Sequence, residues 1–242
     1  RLGREISLAF ARAGWSVAVH CRSSQGAANE VAEICRAMGV QARVFQADLG
    51  DVVQTQTMCD AMATELGSDV RCVVNNASLF LPDTASDFDD RQAMAPMRMG
   101  RWLANLHAGL GAAQASLIHV LDQKVFNLNP DYFSYTLSKL ALHQSVALQA
   151  QSLAPCLRVN AVAPGLMYLS GPQSLENFEF ATRANLLRRP IDPAQVARSV
   201  LFLAENQAIT GATLSVDHGQ HLLGMERDVM NVPVEALRKY AP

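Results

Sequence analysis

The stretch SVAVHCRSSQGAANEVAEICRAMGVQARVFQ, residues 16–46, reads as strand, helix, strand. Ser16–Cys21 is short and rich in valine, Gln25–Met38 repeats apolar residues at helical spacing, and Gln41–Gln46 is strand-like again. Two strands separated by a helix cannot be neighbours in a hairpin, so the unit predicts a parallel pair joined by a crossover. Upstream, Ile6, Ala9, Phe10 and Ala13 mark a helix that Gly14 stops. Downstream the alternation continues: a helix over Val52–Leu66, a strand over Val70–Asn75, a helix ending near Ala113, a strand over Leu117–Asp122 and a helix over Phe133–Leu153. A strand over Arg158–Ala163, a loop, a helix entered at Asp192-Pro193 and running through Val196–Ala204, and a last strand at Thr213–Val216 complete the series.

Strands alternating with helices, several of them apolar on both faces, call for a parallel sheet covered on both sides. The expected class is therefore α/β, a Rossmann-type doubly wound parallel sheet forming one domain over residues 1–242. The chain opens directly on Arg1-Leu2-Gly3 and a helix, so a first strand and most of a glycine-rich turn are expected before residue 1. In such sheets ligands gather at the carboxyl ends of the strands, and function is sought there.

Half of the residues are hydrophobic, 17% are charged, and the formal net charge is −2. This is the composition of a globular protein. Apolar runs such as Leu140–Leu142 and Val200–Ala204 are far shorter than the roughly 18 residues of a membrane span. The lack of a Lys/Arg block argues against nucleic acid or an anionic membrane as partner, and leaves a small molecule. Five cysteines, at 21, 35, 59, 72 and 156, form no C-x-x-C pair, which fits a reducing cytoplasm and predicts neither disulfides nor a zinc site. His218 and His221 lie three apart without a second ligand cluster, so no metal is expected there.

Tyr135-Thr-Leu-Ser-Lys139 puts a phenol and an ammonium four residues apart on one helical face, where the cation would lower the phenol's pKa and make it a usable acid. The motif follows the strand ending at Asp122, Asn75-Asn-Ala-Ser78 ends an earlier strand, and Pro164-Gly165 ends a later one. Together these strand-end motifs resemble the short-chain dehydrogenase/reductase family, over nearly the whole chain. The family usually has a serine thirteen positions before the tyrosine; here that position is Asp122. The exchange resembles the pteridine reductase branch, with its dihydrofolate- and dihydromonapterin-reducing members. Arg1-Leu2-Gly3, His20-Cys-Arg-Ser23 and Asn75-Asn-Ala-Ser-Leu-Phe80 are similar to that branch too.

The resemblance implies the following roles. Tyr135 and Asp122 form a proton relay suited to C=N reduction, and Lys139 holds the nicotinamide ribose. Phe80 stacks on the pterin, Ser78 touches both ligands, and Arg1 reaches both cofactor phosphate and substrate, with Leu2 beside the cofactor. Asp48-Leu49 contacts adenine, Asn75 and Ala77 line the cofactor, and the turn Pro164-Gly165-Leu166 faces the carboxamide. Asn105 is the candidate for the family's helical asparagine, although it precedes Asp122 by only seventeen residues, a shorter interval than is usual. At the end of the strand Ser16–Cys21, where NAD enzymes place an acid on the ribose, stand His20, Arg22 and Ser23, which suit a 2′-phosphate and so NADP(H). The loop Met167–Asn177 reads as a lid, with Tyr168, Leu169 and Leu175 shaping either a pocket or an oligomer contact. A homotetramer is implied by the family alone. Two alternatives to a pterin or folate reductase stay open: a carbonyl reductase of the same fold, acting on an oxoacyl thioester or ketone, and a non-catalytic NADPH-binding protein.

Overall fold

The structure is a computed structural model that describes residues 1–66, 70–80, 82–83, 85, 95–108 and 115–240 of the chain. Strands and helices alternate from the start: α1 (Leu2–Arg12), β1 (Val17–Cys21), α2 (Gln25–Ala37), β2 (Ala42–Gln46), α3 (Val52–Leu66), β3 (Cys72–Asn75), α4 (Ala95–Leu106) and β4 (Ala115–Val120). Then follow α5 (Phe133–Ser152), β5 (Leu157–Pro164), α6 (Leu175–Ala181), α7 (Pro193–Glu205), β6 (Thr213–Val216) and α8 (Val234–Leu237). All strand pairs are parallel. β1 pairs with β2, and β3-β4-β5-β6 form a second ladder in that order. The Rossmann-type α/β class stands, and the described strands form these two parallel ladders.

Every residue of β4 and of β5 is buried, as central parallel strands covered by helices must be. Their side chains alternate between two cores. Ile118, Val120 and Val162 pack with Leu2, Ile6 and Phe10 of α1 and Val196, Val200 and Leu203 of α7. Leu117 and Val159 point the other way, against Met58 and Met62 of α3 and Met99 and Leu103 of α4. Leu142 and Val146 of α5 close the same side near Leu121 and Ala163.

Local chemistry explains the boundaries. Gly14 takes φ +83° after α1, a conformation that favours glycine. Asp192 accepts a hydrogen bond from the Ala194 N–H at 2.9 Å and opens α7 with Pro193 in its first turn. Buried Arg158 donates to the carbonyls of Leu203, Ala204, Asn206 and Ile209 at 2.6–3.2 Å, so its charge closes the end of α7.

Two expectations are corrected. The strand predicted over Leu117–Asp122 ends at Val120, and Asp122 instead caps a short 3-10 turn, Gln123–Val125, by accepting from the Lys124 N–H. Its carboxylate competes for backbone N–H groups, which takes it out of the ladder. The loop predicted over Met167–Asn177 already contains the start of α6, where Ser174 caps the Asn177 N–H at 3.1 Å. The described part of α4 ends at Leu106, and Ala113 lies outside the described residues. Among the described residues no helix is long and apolar enough to cross a membrane.

Candidate active site

Asp122 and Tyr135 meet at the carboxyl end of β4. The Tyr135 hydroxyl donates to Asp122 Oδ2 at 2.8 Å, and the Lys124 N–H donates to Asp122 Oδ1 at 2.9 Å. One turn along α5, buried Lys139 donates from Nζ to the Val120 carbonyl at 2.7 Å and lies 5.5 Å from the Tyr135 ring centre. The helix that carries both residues starts where Asp83 accepts from the Ser134 N–H at 3.1 Å.

The electrostatics depart from the expected lowered phenol. Burial raises the Tyr135 pKa well above its ordinary value, and the neighbouring Asp122 carboxylate raises it further. The same burial raises the Asp122 pKa, against the pull of its hydrogen bonds from Lys124 and Tyr135. Lys139 is lowered by burial to about 8. The phenol is hydrogen-bonded to the carboxylate and not to the ammonium, so burial and the Asp122 charge decide the direction. The arrangement is a proton-holding pair beside a cation, not a free phenolate.

Phe80 lies over this pair. Its ring stacks on Tyr132 at 4.0 Å and 16°, and meets Tyr135 edge-on at 4.8 Å and 88°. One face of Phe80 is therefore taken by Tyr132, and the expected stacking surface is a joint Phe80–Tyr132 wall. Tyr132 adopts φ 57°, rare for a non-glycine residue, and its hydroxyl contacts Met230 Sδ at 2.9 Å. Neither Tyr132 nor its partner Lys124 carried a motif in the sequence. The one available signal was an aromatic residue directly before the helix of the Tyr-x-x-x-Lys pair.

The other candidates fall into a rim along the strand ends. Arg1 is exposed at the start of α1 and Leu2 is buried beneath it. A Cβ on Gly3 would lie 3.0 Å from Asn76 Nδ2, so this first turn sits close against the loop after β3. That loop exposes Ala77 and Ser78, and the Ser78 hydroxyl donates to the Leu79 carbonyl at 3.3 Å. Tyr168 packs near the same helix start, where Glu5 and Arg1 are both close enough to act on its pKa. Leu169 and Leu175 are exposed.

At the other end of the rim, His20 Nε2 bonds the Ala47 carbonyl at 2.9 Å and Gln46 Nε2 donates to the Arg22 carbonyl at 3.0 Å, tying the loops after β1 and β2 together. Arg22 and Ser23 are exposed there. Asp48 accepts from the Gly50 N–H at 2.9 Å and caps no helix; Asp51 caps α3 through Val53 and Gln54. Leu49 turns inward onto the core.

Three further candidates have their polar groups or faces placed as follows. Asn75 directs its amide into the protein, donating to the Pro96 carbonyl at 3.2 Å and to His119 Nδ1 at 3.1 Å. Burial lowers the His119 pKa to about 4, which keeps this ring neutral and able to accept. The Leu166 N–H is occupied by Gln220 Oε1 at 2.9 Å, and a Cβ on Gly165 would fall 2.5 Å from the same oxygen, so the Pro164-Gly165-Leu166 turn is packed against Gln220. Asn105 is exposed and lines a cleft between α3 and α4 with Cys59, Arg98 and Trp102. It stands two residues from Leu103, which faces the sheet, and two helical residues are about 200° apart, so it points away from Asp122. Among the described residues no group of three or more His, Cys, Asp and Glu could hold a metal ion.

Comparison with known proteins bears on this geometry. The family model described as enoyl-(acyl carrier protein) reductase matches residues 2–221. A crystal structure of a FolM alternative dihydrofolate reductase 1 from Brucella canis, complexed with NADP, superposes with a TM-score of 0.85 at 33% identity, covering 94% of this chain and 92% of that one. A 3-oxoacyl-[acyl-carrier-protein] reductase FabG of Staphylococcus aureus is 28% identical over 91% of this chain and 94% of its own. A dihydromonapterin reductase of Citrobacter koseri is 27% identical over 63% of this chain and 67% of its own.

Proposed function

We propose that this chain, which belongs to the short-chain dehydrogenase/reductase family, is an NADPH-dependent reductase of a dihydropterin or dihydrofolate. The observation that carries the reading is the 2.8 Å hydrogen bond between Tyr135 and a carboxylate at residue 122, where the family usually has serine. The likeness to a FolM alternative dihydrofolate reductase supports it, as does the flat aromatic wall of Phe80 and Tyr132.

The residues on the rim fit an anionic dinucleotide phosphate. The segment Cys21-Arg22-Ser23-Ser24 after β1 has no carboxylate to oppose a 2′-phosphate, and Arg22 and Ser23 are exposed donors. The N-terminus of α1 has no side-chain cap of its own and suits a phosphate group, with Arg1 beside it. Lys139 spends one donor on Val120, and an ammonium has three, which leaves it able to hold a ribose hydroxyl.

When bound, the nicotinamide would supply the hydride. Tyr135 then presents the proton that the substrate nitrogen takes up, and Asp122, in its protonated form, restores it across the same 2.8 Å contact with the donor sense reversed. Lys139, still cationic at neutral pH, stabilises the oxygen while it is short of a proton. Phe80 and Tyr132 orient a flat heterocycle over the pair.

NADPH absorbance gives the direct test. Consumption is expected with dihydrobiopterin, dihydromonapterin or dihydrofolate. If all three leave NADPH untouched while a 3-oxoacyl thioester or a ketone consumes it, the pterin reading is overturned in favour of a carbonyl reductase, the activity named for the Staphylococcus aureus relative. The cofactor assignment has its own test. Arg22→Ala is expected to lower kcat/KM for NADPH about tenfold, the size of one lost charge-assisted phosphate contact, and to leave NADH almost unchanged. Equal losses with both cofactors would place Arg22 elsewhere.

A further inference from the structure

Lys124 has no part in the relay as described, yet its side chain is 2% exposed. Its backbone N–H holds Asp122 Oδ1, while its ammonium donates to Asp228 Oδ2, Asn129 Oδ1 and the Asp131 carbonyl, each at 2.9 Å, and lies 5.4 Å from the Tyr132 ring centre. Asp228 in turn caps its own short turn through the Met230 N–H at 3.2 Å and donates its N–H to Asp131 Oδ2 at 2.7 Å. Arg227 closes the outer edge with bonds to both Asp131 oxygens at 2.7–3.1 Å, and that pair holds the Asp131 carboxyl down at about 2. A cluster of this kind is costly to bury, and an apolar pair of similar volume commonly packs as stably. Its place next to Asp122 suggests a use.

We propose that the Lys124–Asp228 ion pair is a positioning pair that sets the protonation of the Asp122–Tyr135 relay from beneath and holds the Tyr132 side of the substrate wall. The proposal deepens the relay reading above and rests on it. The two members act on Asp122 with opposite sign: Asp228 raises its pKa and Lys124 lowers it, and Asp228 also raises that of Tyr135. The other titratable groups on elements packed against the 123–125 turn are already engaged. Tyr135 and Lys139 of α5 belong to the relay, His143 of α5 meets the Phe126 ring edge-on at 5.0 Å and is held toward its neutral form by burial, His221 is paired with Asp217 at 2.7 Å, and Arg158 of β5 is bound to the end of α7.

The opposed signs separate this role from simple bracing. Lys124→Met leaves the Asp228 anion uncompensated and pushes the Asp122 pKa up. Asp228→Asn leaves the Lys124 cation and pushes it down. Because the relay delivers a proton only while Asp122 holds one, the high-pH limb of kcat is expected to move up in K124M and down in D228N. K124R should follow the unmodified protein, and K124M/D228L, with both charges gone, should fall between the single variants. The same order is expected, without substrate, in the carbon-13 carboxyl titration of Asp122, assigned by its loss in D122N. That readout survives failure of the pterin reading. Limbs and titrations that move together in both single variants, or stay fixed while the melting temperature falls, would show a structural brace and overturn the proposal. Should K124M not fold, D228N and the double variant still decide the sign.

Discussion

Tyr135→Phe is expected to lower kcat about a thousandfold, within the range for removing a positioned acid, while the dissociation constant for NADPH changes less than about threefold. The substitution deletes one oxygen. The phenyl ring keeps its edge contact with Phe80 and its place on α5, so the wall and the helix survive. What disappears is the donor to Asp122 Oδ2, and with it the bridge that the described residues offer between the carboxyl group and a substrate beside Phe80. Asp122 loses a stabilising hydrogen bond, and its pKa rises further, so the proton is still present but has no path. Stopped-flow measurement of NADPH oxidation beside a fluorescence titration of NADPH binding reads the two quantities separately. A non-catalytic NADPH-binding protein would lose nothing, and retention of more than about a tenth of the turnover would remove Tyr135 from the role.

The framework that places Tyr135 was legible because it depends on repeated local signals. Residues 16–46 carried the parallel unit in valine runs and helical spacing, and the helix bounds at Val52 and Leu66 and the proline start of α7 were readable from residue type alone. The active pair was readable because four residues on a helix fix a shared face. Much of what the sequence left illegible has one physical origin, which is that polar side chains choose partners distant in sequence. Lys124 and Asp228 are 104 residues apart, Asn75 reached His119, 44 residues on, and Gln220 came from beyond β6 to fill the turn at Gly165 and Leu166. At Asn105 the helical phase set by Met99 and Leu103 decides the placement, and it turns the side chain outward. Tyr132 shows a further limit, since nothing local in the sequence marks its φ of 57° or its contacts with Phe80 and Met230.

Asp122→Ser is the second large effect, and it separates substrate classes. Pterin turnover is expected to fall about a hundredfold, with reduction of a simple ketone changed less than about threefold. A neutral C=N bond is a poor hydride acceptor until its nitrogen is protonated, so the acid must be strong enough to give its proton as the hydride arrives. A phenol whose pKa lies well above its ordinary value is too weak for this alone; a buried carboxylic acid with a raised pKa is suited to it. A ketone ends as an alkoxide, a far stronger base, which a phenol can serve unaided. Serine is also the substitution least disruptive to the fold, because it can accept the Lys124 N–H as an N-cap in place of Asp122 Oδ1. A pterin loss matched by an equal ketone loss would mean that residue 122 holds the loop and nothing more. A selective pterin loss that deepens as pH rises would identify the carboxyl group as the source of the nitrogen's proton: Lys139 lies at about 8 with the Asp122 charge holding it up, so without that charge the phenol has neither an acid behind it nor a full cation beside it.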